Sequence, residues 1–313
     1  MFHLLFLVFQ NCDTILVEYV GVFAMLKDVI EELNVNNDHL GLSVEHLATG
    51  ESYDINGDEL FQTASTIKVP VLWSLFRNID EGKLALNDKV VIREEDFVPG
   101  SGVLNEFVPG LEVSIQDLAT LMIIISDNTA TDILLERLGK ETVEADMRKI
   151  GLNETYVRQT IWELLALSVG MDPNDRTKAT YNELTRRLNY FEVDDNSIVF
   201  KQEIENNVMT PNDMTKLLKL IDKKETLSLP AHEAMLEIMR RQHYTQRIGR
   251  YLPYGTKLAS KTGSLFSVYN DVGIVEISAT NKYIISAFVK DMDEEKATEL
   301  IAQISKRISE YVK

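Results

Sequence analysis

The sequence contains a serine and a lysine whose spacing suits nucleophilic chemistry. Ser65 and Lys68 lie three positions apart in QTASTIKVPVL, where a helical pattern runs from about residue 65 to residue 80. Side chains at positions i and i+3 share one face of a helix, with Cβ atoms about 5–6 Å apart. A serine hydroxyl needs an adjacent base, and Lys68 can be that base if burial or cationic neighbours lower its pKa. At a helix N-terminus, free N–H groups and the helix dipole would favour an oxyanion formed at Ser65.

Two further short motifs carry residues of the same chemical type. The run SDN occupies positions 126–128 in IIISDNTATDILL, and the run KTG occupies positions 261–263 in LASKTGSLFSVYNDVG. Each motif has an ordinary structural alternative: a helix cap with a surface lysine, a turn, or the end of a strand. The three motifs in this order, each on a suitable element, indicate a common site in which Lys261 is a cationic neighbour of Lys68.

With these motifs the sequence resembles the class A serine β-lactamases and their penicillin-binding relatives. The resemblance covers roughly residues 36–313 and includes the surroundings FQTASTIKVPVL, SIQDLATLMIIISDNTATDILL and LPYGTKLASKTGS. It implies that Ser65 forms an acyl-enzyme and that the N–H groups of Ser65 and Ser264 form the oxyanion hole. It also implies chemistry that is complete with serine, lysine and glutamate, so that no metal ion or organic cofactor is expected.

The resemblance assigns roles to the other motif residues. Ser126 would pass a proton to the leaving nitrogen, and Asn128 would hold the side-chain carbonyl of the substrate. Gly263 would let the strand backbone approach the ligand because it has no Cβ, whereas Asp127 is expected to hold a loop. The predicted anchor for the substrate carboxylate consists of Lys261, Thr262 and Ser264.

Class A enzymes usually place an arginine near the carboxylate anchor, and the strand that follows Gly263 has none. Arg247 and Arg250, in the segment QRIGRYLP shortly before the KTG strand, are the candidates. A surface or structural role is the alternative interpretation for both arginines.

Release of an acyl group requires a base that activates water. In class A enzymes a glutamate about 36 residues after the SDN serine is this base, and Trp162-Glu163 places a glutamate 37 positions after Ser126. The resemblance therefore implies that Glu163 is catalytic, although Leu164 and Leu167 interrupt the family's Glu-Pro-x-x-Asn pattern. The alternative is a solvated loop carboxylate, in which case the protein would trap acyl groups and turn over slowly.

Apolar periodicity predicts strands near both ends of the sequence and helices between them. The strand segments are 39–47, 52–55, 257–260, 267–278 and 282–290. The simplest packing is one antiparallel sheet covered by the first and last helices, an α+β layout; the resemblance implies a β-lactamase/transpeptidase-like fold with five strands and an all-helical lobe. We expect residues 25–64 and 225–313 to form the sheet lobe and residues 65–224 the helical lobe. Residues 152–180 are predicted to be mostly loop.

Composition excludes several functional classes. The chain has 313 residues and a formal charge of −17, which argues against binding to nucleic acid or to an anionic membrane surface. A single cysteine excludes a disulfide within the chain, and five scattered histidines give no metal-ligand spacing. A monomer is the default expectation.

The first 24 residues are apolar in two stretches and contain no lysine or arginine. They fit a secretory signal poorly, because such a signal needs a cationic start and a small-residue cleavage site. Met25 begins a clean amphipathic pattern, so we interpret residues 1–24 as a doubtful extension before the true start. A degenerate signal or anchor is the alternative. The first interpretation predicts a cytoplasmic protein, and the second predicts an exported or membrane-anchored one.

Three functions fit these residues. The first is a β-lactam hydrolase acting through Ser65. The second is a penicillin-binding-like D,D-peptidase acting on a peptidoglycan-like substrate, or an esterase or amidase, with slow deacylation. The third is a non-hydrolytic β-lactam-binding protein such as a sensor that is acylated once. The three differ in the substrate and in the rate at which the acyl group leaves Ser65.

Overall fold

A five-stranded antiparallel sheet forms the centre of one half of the computed structural model, which describes residues 25–33, 35 and 37–312. The large sheet has a strand order that brings the two ends of the sequence together, because the last strand pairs with the first. The strands are β1 Leu40–His46, β2 Ser52–Ile55, β3 Phe61–Gln62, β4 Lys89–Val91, β5 Glu112–Ser114, β6 Thr155–Tyr156, β7 Val208–Met209, β8 Lys257–Leu265, β9 Val268–Glu276 and β10 Lys282–Val289. The order in the large sheet is β2-β1-β10-β9-β8, and smaller sheets join β3, β7 and β6 and join β4 to β5. The predicted α+β fold with a five-stranded antiparallel sheet is confirmed.

The central strand β10 is buried on both faces, which explains its nearly continuous apolar sequence KYIISAFV. Ile284 and Phe288 belong to the core shared with the helical half of the molecule. Tyr283, Ile285 and Ala287 belong to a second core on the opposite face. Because successive strand side chains alternate between faces, this one strand supports both layers.

Helices cover both faces of the sheet. The short helix α1 and the long helix α10 pack together on one face, where Leu26 and Ile30 share a core with Ile301 and Ile304; this pairing of the first and last helices agrees with the prediction. The helices are α1 Leu26–Glu31, α2 Lys68–Asp80, α3 Ile115–Ile124, α4 Asn128–Leu138, α5 Lys140–Lys149, α6 Ile161–Ser168, α7 Lys178–Asn189, α8 Pro211–Lys223, α9 Leu229–Arg240 and α10 Glu294–Tyr311.

Helix α8 packs on the other face of the sheet, although it falls within the residues predicted to form the helical lobe. Its Thr215 Oγ1 lies 2.8 Å from Ser286 Oγ of β10 and donates to the Ser43 carbonyl of β1 at 3.3 Å. Most of its apolar side chains are buried. The helical lobe therefore meets the sheet through α8 as well as through the elements that carry the motifs.

Helix α6 corrects the prediction that residues 152–180 are mostly loop. Thr160 caps this helix: Thr160 Oγ1 accepts from Glu163 N at 3.2 Å, and Thr160 N donates to Glu163 Oε2 at 2.7 Å. A threonine followed three residues later by glutamate, before an apolar run, is the sequence signature of a helix start. The segment TIWELLAL carries this signature at residues 160–167.

The segment 1–24, interpreted above as a doubtful extension, lies outside the described residues. Within the part of the chain that the structure describes, no helix is both long and apolar enough to cross a membrane.

Candidate active site

The three motifs meet at the Ser126 hydroxyl, where the helical half of the molecule faces strand β8. Lys68 Nζ and Lys261 Nζ each lie 3.0 Å from Ser126 Oγ. Lys68 Nζ also donates to the Ser126 carbonyl at 2.6 Å and to Asn128 Oδ1 at 2.9 Å. Residues separated by 58 to 135 positions in the sequence thus form one buried hydrogen-bonded group.

Ser65 lies at the start of the helix that carries Lys68. A 3₁₀ turn over Ala64–Ile67 leads directly into α2, and Ser65 lines the same cleft as Ser126. The preceding residue, Ala64, has φ of +44°, a left-handed conformation that costs a non-glycine residue about 1–3 kcal/mol. The Ala64 N–H donates to Gln62 Oε1 at 2.8 Å, which helps to hold this strained bend immediately before the serine.

Strand β8 approaches the Ser65 turn so closely that position 263 must be glycine. A Cβ on Gly263 would lie 2.8 Å from the Thr63 carbonyl oxygen, 3.0 Å from Ser65 N and 3.1 Å from Thr66 N. The sequence interpretation placed a ligand against this glycine, whereas in the structure the neighbouring group is the backbone around Ser65. The missing side chain therefore sets the distance between β8 and the serine.

The Lys68 ammonium group is removed from water. Burial lowers the pKa of Lys68 to about 7, against the opposing charges of Asp127 and Asp132. An amine with this pKa is partly neutral at physiological pH and can accept a proton. Among the described residues, its hydrogen bonds lead to Ser126 and Asn128 and none leads to Ser65 Oγ.

Lys261 is buried beside Lys68. Burial, and then the charge of Lys68, hold the pKa of Lys261 well below its ordinary value, although Asp271 opposes the shift. Burial also raises the pKa of the Asp271 carboxyl to about 6. Two buried ammonium groups that share one hydroxyl repel each other, so loss of a proton from one of them is favoured.

The SDN segment joins α3 and α4 and presents the Ser126 side chain to the cleft. Ser126 has φ of +58°, and Asp127 caps α4 by accepting from Ala130 N at 2.9 Å. The second Asp127 oxygen accepts from Val103 N at 2.7 Å and from Leu104 N at 3.0 Å. The prediction that Asp127 holds a loop is therefore confirmed by its contacts.

A cleft of about 850 Å³ contains the predicted nucleophile and part of the predicted carboxylate anchor. It begins at Ser65 and Ser126 and passes Thr262 and Ser264 on β8 before it reaches the start of α10. Its lining residues are Ser65, Ser101, Ser126, Tyr244, Gln246, Arg247, Arg250, Thr262, Ser264, Glu294, Glu295 and Thr298.

Arg247, in the segment between α9 and β8, contacts the predicted carboxylate anchor. Its Nη1 donates to the carbonyls of Gly263 at 2.9 Å and Asn270 at 2.6 Å, and its Nη2 donates to Ser264 Oγ at 2.6 Å. Arg250 instead lies 3.3 Å from Glu299 in an exposed ion pair. Of the two arginines that the sequence left open, only Arg247 contacts an anchor residue, because the sequence cannot show which side chain folds back on the strand.

Glu163 is not brought to this group. Its Oε2 lies 2.6 Å from Lys140 Nζ and accepts from the Thr160 N–H. It does not line the cleft that contains Ser65, which corrects the placement expected from its spacing to Ser126. The physical reason is the helix start at Thr160, because the side chain at the third helical position folds back toward the cap.

Asp132 holds the start of helix α6, and sequence reasoning did not identify it. One carboxylate oxygen accepts from Ile161 N at 2.6 Å and the other accepts from Trp162 N at 3.0 Å. Burial raises the pKa of Asp132 to about 6 in spite of these hydrogen bonds. The first N–H groups of a helix lack acceptors within the helix. Asp132, on α4, provides an acceptor for two of these N–H groups in α6.

Comparisons with known proteins identify the family and the solved structures that the chain is similar to. The model of the β-lactamase enzyme family matches residues 24–312. A β-lactamase of Rhodobacter capsulatus is 28% identical over 258 residues, which cover 82% of this chain and 76% of that protein. The solved structure of PBP-A is similar with a TM-score of 0.71 and 28% identity, covering 91% of this chain and 94% of the other. A PBP-A mutant solved as an acyl-enzyme complex with penicillin G has a TM-score of 0.72, 26% identity and coverage of 91% and 94%.

Proposed function

Since the chain belongs to the β-lactamase enzyme family, we propose that it is a serine hydrolase that opens β-lactam rings through an acyl-enzyme on Ser65. The observation that carries the proposal is the pair of buried lysines that share the Ser126 hydroxyl at the edge of the Ser65 cleft. Such a group can both remove a proton from a nucleophile and supply one to a leaving group.

In the proposed acylation, the neutral Lys68 amine takes the Ser65 hydroxyl proton as the oxygen attacks the ring carbonyl carbon. The oxyanion forms beside the N–H groups of Ser65 and Ser264, and such donors are worth about 3–4 kcal/mol each. As the carbon–nitrogen bond breaks, Ser126 Oγ gives its proton to the nitrogen and receives one from a neighbouring lysine. The product is a serine ester with the ring open.

The residues around the cleft supply the groups for substrate binding in this proposal. Lys261, Thr262 and Ser264 would hold the substrate carboxylate, with Arg247 as a further cation beside Ser264. Asn128 Nδ2 donates one hydrogen to the Pro99 carbonyl at 2.9 Å. Because an amide nitrogen has two hydrogens, Asn128 keeps one for the side-chain carbonyl of the substrate.

Incubation with benzylpenicillin, followed by intact mass and by ring opening, tests the proposal. We expect an adduct on Ser65 that has the full mass of the penicillin, because ring opening expels no group. We expect ring-opened product to accumulate beyond one equivalent. A protein that shows neither an adduct nor ring opening would contradict the proposed function while leaving the fold unchanged.

The position of Glu163 favours one variant of this function, a penicillin-binding-like hydrolase with slow release of the acyl group. The carboxylate is engaged by Lys140 and by the Thr160 N–H, so these contacts would have to change before it could activate a water beside the Ser65 ester.

We therefore expect a Glu163→Gln variant to release the penicilloyl group at the wild-type rate, within about twofold. The reason is that the glutamine can still cap α6 while losing the ability to act as a base. The measurement is the decay of the adduct, followed by intact mass after excess penicillin has been removed. Glu141→Gln, which alters an exposed carboxylate on α5, is the matched control.

A Glu163→Gln adduct that persists at least about tenfold longer than the wild-type and Glu141→Gln adducts would contradict this expectation. That outcome would mean that helix α6 moves in the acyl-enzyme and brings Glu163 to the ester.

A further inference from the structure

Asn270 on strand β9 is a fully buried amide that links the sheet to the segment before the nucleophile. Its Nδ2 donates to the Gln62 and Thr63 carbonyls, both at 2.9 Å. Its Oδ1 accepts from Val289 N on the neighbouring strand β10 at 3.2 Å. Both amide hydrogens and the amide oxygen are thus used, which leaves the side chain a single favourable orientation.

The backbone of Asn270 is also paired with strand β8, which carries Lys261, Thr262, Gly263 and Ser264. Asn270 lies opposite Gly263 in the β8–β9 ladder, next to the pair formed by Ser264 and Tyr269. Gly263 is in turn the residue that lies against the Ser65 turn. The side chain of Asn270 therefore contacts the segment before Ser65, and its backbone pairs with the strand that carries Ser264. The N–H groups of Ser65 and Ser264 are those that would form the oxyanion hole.

The segment between Gln62 and Ser65 needs an external support because its backbone is strained. Ala64 adopts a positive φ, and the Asn207 carbonyl, which precedes β7, accepts from the Thr63 N–H and hydroxyl, each at 3.0 Å. Asn270 supplies further hydrogen bonds to this segment, from strand β9 of the sheet.

We propose that Asn270 is a positioning residue that sets the distance between the Ser65 and Ser264 N–H groups and thereby forms the oxyanion hole. The inference rests on the proposed function, because it concerns acyl transfer to Ser65. Oxyanion donors act only when they are aimed at the place where charge develops, and a displacement of about 1 Å can reduce the rate by about 100-fold. Asn270 touches no substrate, so its effect acts through the two donors.

Two substitutions at Asn270 separate hydrogen bonding from packing. Asn270→Leu keeps the shape branched at Cγ without polar atoms, and Asn270→Ala leaves a cavity. We expect both variants to acylate with benzylpenicillin about 10- to 100-fold more slowly than the wild type. A role in packing alone would make the leucine variant much less affected than the alanine variant.

The infrared stretching frequency of the acyl carbonyl reports on the oxyanion-hole donors, and a general loss of stability would not change it. With benzylpenicillin labelled with carbon-13 at the ring carbonyl, we expect both Asn270 variants to show this band at higher frequency than the wild type, because weaker donors polarise the carbonyl less. Thr215→Val is the control, since it removes two buried hydrogen bonds between α8 and the sheet that involve neither Gln62 nor Thr63.

Wild-type protein is measured first, because failure to form any adduct would contradict the proposed function itself. If the wild type forms the adduct and the Asn270 variants match it in acylation rate and carbonyl frequency, the positioning role is wrong. It is also wrong if Thr215→Val shifts the carbonyl band as much as the Asn270 variants do. If one Asn270 variant does not fold, the other carries the test.

Discussion

A Ser65→Ala variant is expected to form no covalent adduct with benzylpenicillin and to lose about 10⁵-fold or more in ring opening, because it lacks the attacking oxygen. Removal of the nucleophile leaves only the weak catalysis that binding and the oxyanion donors provide. Intact mass after prolonged incubation measures the adduct, and product formation under saturating penicillin measures turnover. The change removes one hydroxyl from a cleft residue, so we expect the free energy of unfolding to change by less than about 1 kcal/mol.

Ser74 provides a matched control on the same helix. It is fully buried in α2, and its hydroxyl has no hydrogen-bond partner among the described residues. Ser74→Ala should therefore form the adduct at the wild-type rate. An adduct that persists in Ser65→Ala would mean that the nucleophile is a different residue, and peptide mapping of that adduct would identify it.

The second large effect is expected at Lys68. Lys68→Arg should acylate about 10²- to 10⁴-fold more slowly, because a guanidinium keeps its positive charge but cannot take the serine proton. Lys68→Met, which has a side chain of similar length and no charge, should show an equal decrease in the rate of acylation. The measurement is the rate of adduct formation in quenched reactions. Thermal unfolding is recorded for each variant, because Lys68 is fully buried and hydrogen-bonded to Ser126 and Asn128, so that its replacement can also lower stability.

The pH dependence of acylation tests the same role in the unaltered protein. With a Lys68 pKa of about 7, about a tenth of this amine is neutral at pH 6 and about nine tenths at pH 8. Since the neutral form is the base, the acylation rate should rise with pH through about 7 and then level off. Lys219→Arg, which alters an ion pair with Glu45 away from the cleft, should keep this profile. A rate that does not change between pH 6 and pH 8, or full activity in Lys68→Arg, would exclude Lys68 as the base.

Much of the site was predictable because the chemistry restricts the residue types and the spacing. Ser65 and Lys68 are one helical turn apart, so local geometry alone places them together. The convergence of the SDN and KTG runs was predictable only through the resemblance, because no local rule brings Ser126 and Lys261 to the same hydroxyl. The β-strands were predictable from periodicity, since a sheet covered on both faces imposes apolar residues on β10.

The sequence by itself predicted Ser65 as the nucleophile with Lys68 beside it, and it was enough to predict the five strands of the large sheet and the family. Only the tertiary structure decided the partners of side chains that lie near the motifs. Glu163 has the expected spacing, yet the helix cap at Thr160 and the charge of Lys140 direct it away from the cleft. The sequence offered Arg247 and Arg250 equally as the arginine near the anchor, and it gave no signal for Asn270, because these contacts depend on how strands β8 and β9 lie against the Ser65 turn. The physical reason is that spacing along the chain sets local geometry, whereas side-chain partners and burial, and with them the pKa of Lys68, arise only when distant segments pack together.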